Sequence, residues 1–157
     1  MAEAVQLRVD FLRTPHGIIK LIQIVLGFID CMLIGWYCVS ILGNTYCYSV
    51  SSLYGDTYGW QGLVITVLAI TLIINFMQLL LHFLNLNNVW SNVNWCKVEM
   101  IYALVGFILF MICMVLETYY SIHYNVYVRW LIGAIFGWII CASYAAEAYL
   151  FQSGRIQ

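Results

Sequence analysis

Charged residues are scarce in this chain of 157 amino acids, in which Asp, Glu, Lys and Arg together make up 8% of the sequence. In a soluble domain about a quarter of the residues are charged, so water cannot be the solvent for most of this chain's surface. Hydrophobic residues account for 64%, and the mean hydropathy is +0.91. The net charge is −1 with no cluster of Lys and Arg, which excludes a nucleic-acid-binding protein. The composition therefore predicts an integral membrane protein.

Several processing and catalytic motifs are also missing. Residues 1–14 carry charges and no small-residue cleavage site after a short apolar core, so we expect the first apolar run to be retained. Neither lipid-anchor motif is present, and no Asn-x-Ser/Thr sequon occurs. Because a phosphate-binding Gly loop, a nucleophile elbow and paired catalytic groups are all missing, we predict that the protein is not an enzyme and needs no cofactor.

Four apolar runs are each long enough to cross the hydrocarbon core as a helix, which takes about 20 residues. They are Gly17–Leu42, Trp60–Leu84, Val98–Tyr120 and Trp130–Phe151. None alternates with the period of a barrel strand, and helices are the remaining way to satisfy the backbone in lipid. Thr14 and Pro15 predict the N-cap and the first residue of the first helix. We therefore predict an all-α, four-helix transmembrane bundle at 15–151, between an N-terminal segment at 1–14 and a tail at 152–157.

The basic residues are distributed unevenly over the two ends of the predicted spans. Arg129 lies on one side, and the other side has Arg8, Arg13, Lys20, Lys97 and Arg155. Because Lys and Arg accumulate in cytoplasmic segments, we predict that both termini are cytoplasmic. The outer loops are then 43–59 and about 121–129, and the inner loop is 85–97.

The start of the first run resembles a known family. The stretch Phe11–Gly27 reads FLRTPHGIIKLIQIVLG. It is similar to the opening of MARVEL-domain proteins, in which Phe-Leu-Arg and Gly lead into a first helix with Lys-Leu-x-Gln. Four spans, short loops and internal termini also match, over about residues 10–151. Among these proteins, the small size resembles the MAL/plasmolipin and chemokine-like-factor groups, or insect tetraspan relatives.

The resemblance implies a non-catalytic role in vesicle trafficking, in the organisation of cholesterol-rich membrane, and in membrane apposition at junctions or fusion sites. It carries over no catalytic residues. Claudins and tetraspanins fit worse, because the two predicted outer loops are short and contain a single cysteine, Cys47.

Only Cys47, of six cysteines, falls in a predicted outer loop. We therefore predict no outer disulfide within one chain, although Cys47 could pair with a second subunit. Cys96 lies at the inner membrane boundary, where it is a candidate for reversible palmitoylation. The other four are predicted to be small apolar residues inside helices; they are Cys31, Cys38, Cys113 and Cys141.

Asp30 lies near the middle of the first predicted span, where an acidic group costs roughly 3 kcal/mol on insertion scales. We expect it to face the bundle and to bond to Asn75 in the second span, or to Ser143 or Tyr144 in the fourth. It would act either as polar glue between helices or as a proton or ion relay. No second charge is predicted at its depth, which favours glue.

The remaining ionisable side chains are predicted to lie at the membrane boundaries. Glu99 and Glu147 are assigned to inner ends of spans, and Glu117 to an outer end within reach of Arg129, so we predict rim ion pairs. The histidines lie at helix ends or in loops on differing sides, and no metal site is predicted from them. They are His16, His82 and His123.

Small residues recur at every fourth position of the fourth run and form one straight stripe on a helix. They are Gly133, Gly137, Cys141 and Ala145. Gly27 and Gly35 offer a second face of this kind. Such faces let a neighbouring helix approach closely. We predict that they pack within the bundle, with self-association into a homo-oligomer as the alternative.

Together these observations predict a four-span protein of the plasma membrane or of vesicle membranes that organises membrane in trafficking, apposition, junctions or cell–cell fusion. Its expected partners are the lipid bilayer, including cholesterol-rich membrane, and other membrane proteins. The alternative is a small channel or transporter subunit that uses Asp30.

Overall fold

Four long helices dominate the computed structural model, which describes residues 8–41, 43–49, 59–86, 93–123 and 128–155. These are α1 Pro15–Ile34, α2 Gly59–Phe83, α3 Trp95–His123 and α4 Val128–Gln152. Each has the length and apolar composition to cross a membrane. The prediction of an all-α, four-helix transmembrane bundle is confirmed, and the placement of both termini in the cytoplasm stays a prediction. Parts of the predicted N-terminal segment and tail, at 1–7 and 156–157, lie outside the described residues.

The start of α1 follows the predicted capping pattern. The Thr14 hydroxyl accepts a hydrogen bond from the backbone N–H of Gly17 at 3.1 Å, and Pro15 is the first helical residue. A hydroxyl at this position satisfies one of the N–H groups that a helix start leaves without a partner. Before it, a 3₁₀ helix at Val9–Arg13 buries Phe11.

The end of α1 corrects the predicted first span. The helix ends at Ile34 and not at Leu42, and two strands, β1 Trp36–Ile41 and β2 Asn44–Ser49, form an antiparallel hairpin after it. Gly43 in the turn has a φ of +82°, which glycine adopts without steric cost.

The hairpin also moves one cysteine out of the spans. Cys38 lies in β1, directly opposite Cys47 of β2 in the strand register. The prediction that Cys38 belongs to a transmembrane helix, and that Cys47 alone lies in the loop, is therefore wrong.

The helices are arranged as a ring in which α1 contacts α2 and α4, and α3 contacts the same two helices. We call the end at which α1 and α3 begin the near end, and the opposite end the far end. The interior holds an apolar cluster that includes Leu68 of α2, Phe110 and Met114 of α3, and Ile140 of α4. Polar groups lie on both sides of this cluster, toward the two ends of the bundle.

Candidate functional site

The buried face of α1 is polar, and it forms the first side of the candidate site. His16, Lys20, Gln23 and Asp30 are each at most 3% exposed. Their spacings of four, three and seven place them on one side of the helix. The exposed positions of α1 within the span are apolar instead, namely Ile18, Ile22, Val25, Phe28, Ile29 and Met32. This distribution is the reverse of that in a water-soluble helix and suits a helix whose outer face meets lipid.

Glu147 of α4 receives three side chains from α1. Its Oε1 lies 2.8 Å from Lys20 Nζ and 3.1 Å from His16 Nε2. Its Oε2 accepts a hydrogen bond from Gln23 Nε2 at 2.9 Å. The side chain of Glu147 is fully buried, so the prediction that it reaches the membrane boundary is wrong. A buried carboxylate is tolerable when a cation and hydrogen bonds compensate it.

The same network extends across all four helices. Lys20 Nζ donates to Asn75 Oδ1 of α2 at 3.2 Å, and Asn75 Nδ2 donates to the Tyr144 hydroxyl of α4 at 2.8 Å. The hydroxyls of Tyr102 in α3 and Tyr144 are 3.1 Å apart. Asn75 thus joins Lys20 to Tyr144 and does not bond to Asp30, which corrects the predicted pairing.

At the near end, two histidines converge on one glutamate. His82 Nε2 lies 2.6 Å from Glu99 Oε1, and His16 Nε2 lies 3.7 Å from Glu99 Oε2. The three residues come from α2, α3 and α1, so they tie three helices together. Glu99 is buried and not part of an exposed rim. The statement that the histidines are spread over differing sides is wrong for His16 and His82, which share the near end.

A pocket of about 290 Å³ opens at the near end beside these histidines. His16, His82 and Glu99 line it, together with Cys96 at the second position of α3. Cys96 is half-buried. Its palmitoylation stays a prediction.

A second group of buried polar side chains lies toward the far end. Asp30 is one turn from the end of α1 and not at its middle, and the carboxylates of Asp30 and Glu117 are close enough to repel each other. Among the described residues, the Asp30 carboxylate has no hydrogen-bond partner. The Glu117 carboxylate lies next to the Gln61 side chain and interacts with it. Glu117 is fully buried and therefore does not lie on an exposed rim, while its pairing with Arg129 stays a prediction.

The small-residue stripe of α4 faces the interior of the bundle. A Cβ at Gly133 would lie 2.5 Å from Ile34 Cγ2 and 2.8 Å from Asp30 Oδ1, and a Cβ at Gly137 would overlap Met114 Sδ. Cys141 Sγ is 3.9 Å from the Phe107 carbonyl, and Ala145 is half-buried. Such contacts leave no room for a side chain at the two glycines.

The glycines of α1 face α2. A Cβ at Gly27 would meet Leu72 Cδ1 at 3.6 Å, an ordinary contact, whereas at Gly35 it would lie 3.2 Å from Ile65 Cδ1. Gly35 is also the C-cap of α1. Both glycines therefore lie at the contact between α1 and α2.

The near-end network and the polar side chains toward the far end are not connected through the bundle. Leu68 lies between Gln61 and Asn75 along α2, and Phe110 lies between Tyr102 and Glu117 along α3; both apolar side chains belong to the core cluster. The near-end network can hold charge and hydrogen bonds between helices. The apolar layer separates it from Asp30 and Glu117.

Comparison with known proteins identifies one family. The family model named MARVEL, described as a membrane-associating domain, matches residues 11–150. No curated protein and no solved structure matches the chain.

Proposed function

The chain belongs to the MARVEL family of membrane-associating domains, and from this premise we propose that it organises membrane without catalysis, in vesicle trafficking, membrane apposition, cell junctions or cell–cell fusion. It is an integral multi-pass membrane protein. We propose the plasma membrane and vesicle membranes as its location, and other membrane proteins, cholesterol-rich lipid and further copies of the chain as its partners.

The observation that carries this proposal is the separation of polar and apolar groups. Lys20 and Glu147 are paired inside the bundle, and the outer face of α1 consists of apolar side chains. A protein whose polar groups are occupied by holding its own helices together presents mainly hydrocarbon to its surroundings. Its external contacts are then with lipid chains and with the spans of other proteins.

A groove on the lipid-facing side supports a preference among lipids. It has a volume of about 510 Å³ and is lined by apolar side chains of α1 and α2, including Phe28, Ile73 and Phe76. A flat, rigid sterol ring system fits an apolar groove with aromatic walls better than a mobile acyl chain does, because it loses less conformational freedom on binding. We therefore assign a sterol as the occupant.

Partitioning in giant vesicles tests this proposal. In vesicles with coexisting sterol-rich and sterol-poor phases, we expect the reconstituted protein to enrich in the sterol-rich phase. Ile73→Ala, in the groove, should reduce this enrichment, whereas Ile108→Ala on α3 outside it should not; these two isoleucines are 63% and 58% exposed. Uniform partitioning of the wild-type protein, or equal effects of the two substitutions, would contradict the sterol assignment.

The broader role needs a test in cells. Proximity labelling from the C-terminal tail, combined with imaging of a tagged copy, should recover proteins of vesicles, junctions or fusion sites. Labelling confined to biosynthetic machinery would count against a role in trafficking or apposition.

A small channel or transporter subunit is the second candidate, and the far-end carboxylates are the observation that favours it. Asp30 and Glu117 are buried inside the bundle, and the Asp30 carboxylate has no hydrogen-bond partner among the described residues. Ionisable residues inside membrane spans often mark ion or proton pathways. Proton or ion flux into vesicles that Asp30→Asn abolishes would establish this candidate. The apolar layer at Leu68 and Phe110 argues against a continuous path.

A further inference from the structure

We propose that the near end of the bundle binds one divalent transition-metal ion, with Zn²⁺ as the best fit, through His16, His82 and Glu99. One donor atom from each of the three side chains lies within 4.8 Å of the others. Two imidazoles and a carboxylate are a donor set that Zn²⁺ uses in proteins. This inference is independent of the membrane-organising role.

The donor atoms already lie close to the spacing that a metal requires. With bonds of 2.0–2.1 Å in a tetrahedral arrangement, two ligand atoms are about 3.3 Å apart. His82 Nε2 lies 2.6 Å from Glu99 Oε1, and His16 Nε2 lies 3.7 Å from Glu99 Oε2. Shifts of roughly an ångström, within the reach of side-chain rotation, would complete the geometry.

Aromatic contacts hold both imidazoles in place. Phe11 stacks on His82 with ring centres 4.7 Å apart, and it packs nearly perpendicular to the His16 ring with ring centres 5.5 Å apart. Phe151 of α4 contacts His16 from another direction, at 5.2 Å. Ligands that are already oriented lose less conformational entropy when a metal binds.

The local charge balance favours a cation. Lys20 compensates Glu147 at 2.8 Å, whereas the side chains in contact with the Glu99 carboxylate are the two imidazoles. A divalent ion bound to Glu99 and to both imidazoles would place positive charge directly against this buried carboxylate. His16 Nε2 also lies 3.1 Å from Glu147 Oε1, so metal binding requires this nitrogen to turn from Glu147 to the ion. Lys20 and Gln23 still hold Glu147 after that change, and the fourth coordination position falls to a water from the adjoining pocket.

An anion is the rival occupant of the same pocket. Arg8 and Arg155 line it, and both are exposed. The buried Glu99 carboxylate, however, would lie beside any phosphate that entered and would repel it. The buried donor atoms therefore favour the metal over an anion.

Metal titration of the 157-residue chain tests the proposal. Protein purified in detergent without a histidine tag and stripped with EDTA is titrated with Co²⁺, followed by displacement with Zn²⁺. We expect saturable one-to-one binding, visible Co²⁺ absorption bands, and a Tm that rises with Zn²⁺, because the metal binds the folded state. The proposal is overturned if the wild-type protein shows no saturable metal binding. It is also overturned if the Tm rises with inorganic phosphate and not with Zn²⁺.

Two ligand variants and one matched control locate the site. His82→Gln and Glu99→Gln should each weaken Zn²⁺ binding by at least about tenfold, whereas His123→Gln at the far end of α3 should not. Equal affinity in all three variants would refute the assignment. Where a ligand variant fails to fold, X-ray absorption of the Zn²⁺-loaded wild-type protein decides. Imidazole nitrogen in the coordination shell supports the site, and a shell of oxygen or sulfur alone overturns it.

Discussion

The ion pair between Lys20 and Glu147 allows a direct test of whether polar contacts hold these helices together. Lys20 Nζ lies 2.8 Å from Glu147 Oε1, and both side chains are fully buried. The substitution Lys20→Met removes the ammonium group and keeps an unbranched side chain. Glu147 then retains Gln23 and His16 as neighbours but loses its nearest cation. The variant therefore leaves a carboxylate in a medium that solvates charge poorly.

The expected cost follows from the burial and from the remaining partners. Removal of one member of a buried ion pair typically costs about 3–5 kcal/mol. The hydrogen bond from Gln23 compensates Glu147 in part, so we expect a loss near the lower limit, about 3 kcal/mol. Glu147→Gln should cost a similar amount, because it leaves the Lys20 ammonium with Asn75 as its hydrogen-bond acceptor. In the double variant neither charge remains, and the coupling energy should be at least about 2 kcal/mol.

Unfolding in mixed micelles, followed by circular dichroism, measures these free energies. The matched control is Lys97→Met, which removes the same group from an exposed position near the start of α3 and should change stability by no more than about 0.5 kcal/mol. A loss for Lys20→Met no larger than that of the control would refute the reasoning. Strict additivity in the double variant would also refute it.

Two further predictions concern other parts of the bundle. Gly137→Leu should destabilise the fold by about 1–3 kcal/mol through overpacking, because its Cβ would overlap Met114 Sδ; an unchanged thermal midpoint would contradict this. Asp30→Asn should leave the midpoint unchanged or raise it, because the carboxylate has no hydrogen-bond partner in the described part of the chain; a loss above about 1 kcal/mol would indicate a compensated charge.

Hydropathy predicts most of the fold. It fails in the first apolar run, where a helix and a strand are compatible with the same kind of apolar sequence. The predicted second span, Trp60–Leu84, agrees closely with α2 at Gly59–Phe83. The first span fails at its end, because residues 36–41 continue the run without a charged residue or a proline. An apolar run does not distinguish a helix from a strand. The β-branched and aromatic residues after Gly35 were the available signal for the hairpin.

The polar face of α1 is visible in the sequence, but its partners are not. The spacing of His16, Lys20, Gln23 and Asp30 alone predicts that they share one side of a helix. From the sequence, Lys20 is predicted to set the orientation and Glu147 to lie at the membrane boundary, and neither prediction implies that the two residues pair. The pairing depends on the relative depth and rotation of α1 and α4, which packing decides and local spacing does not contain.

Polar contacts can determine how these helices pack, because in lipid the hydrophobic effect does not drive helices together. Apolar helix surfaces gain little by leaving hydrocarbon for another apolar surface. Lys20, Asn75, Tyr102 and Tyr144 place one member of the connected network on each of the four helices. A shift of one residue in the packing face rotates a helix by about 100°, which would turn Lys20 toward lipid at a cost of roughly 3 kcal/mol. The interior therefore fixes the rotation of each helix, and the outer apolar surface can change with little effect on the fold. Recognition of a particular lipid or neighbouring protein is accordingly expected on the outer surface, where substitutions such as Ile73→Ala should alter partitioning more than stability.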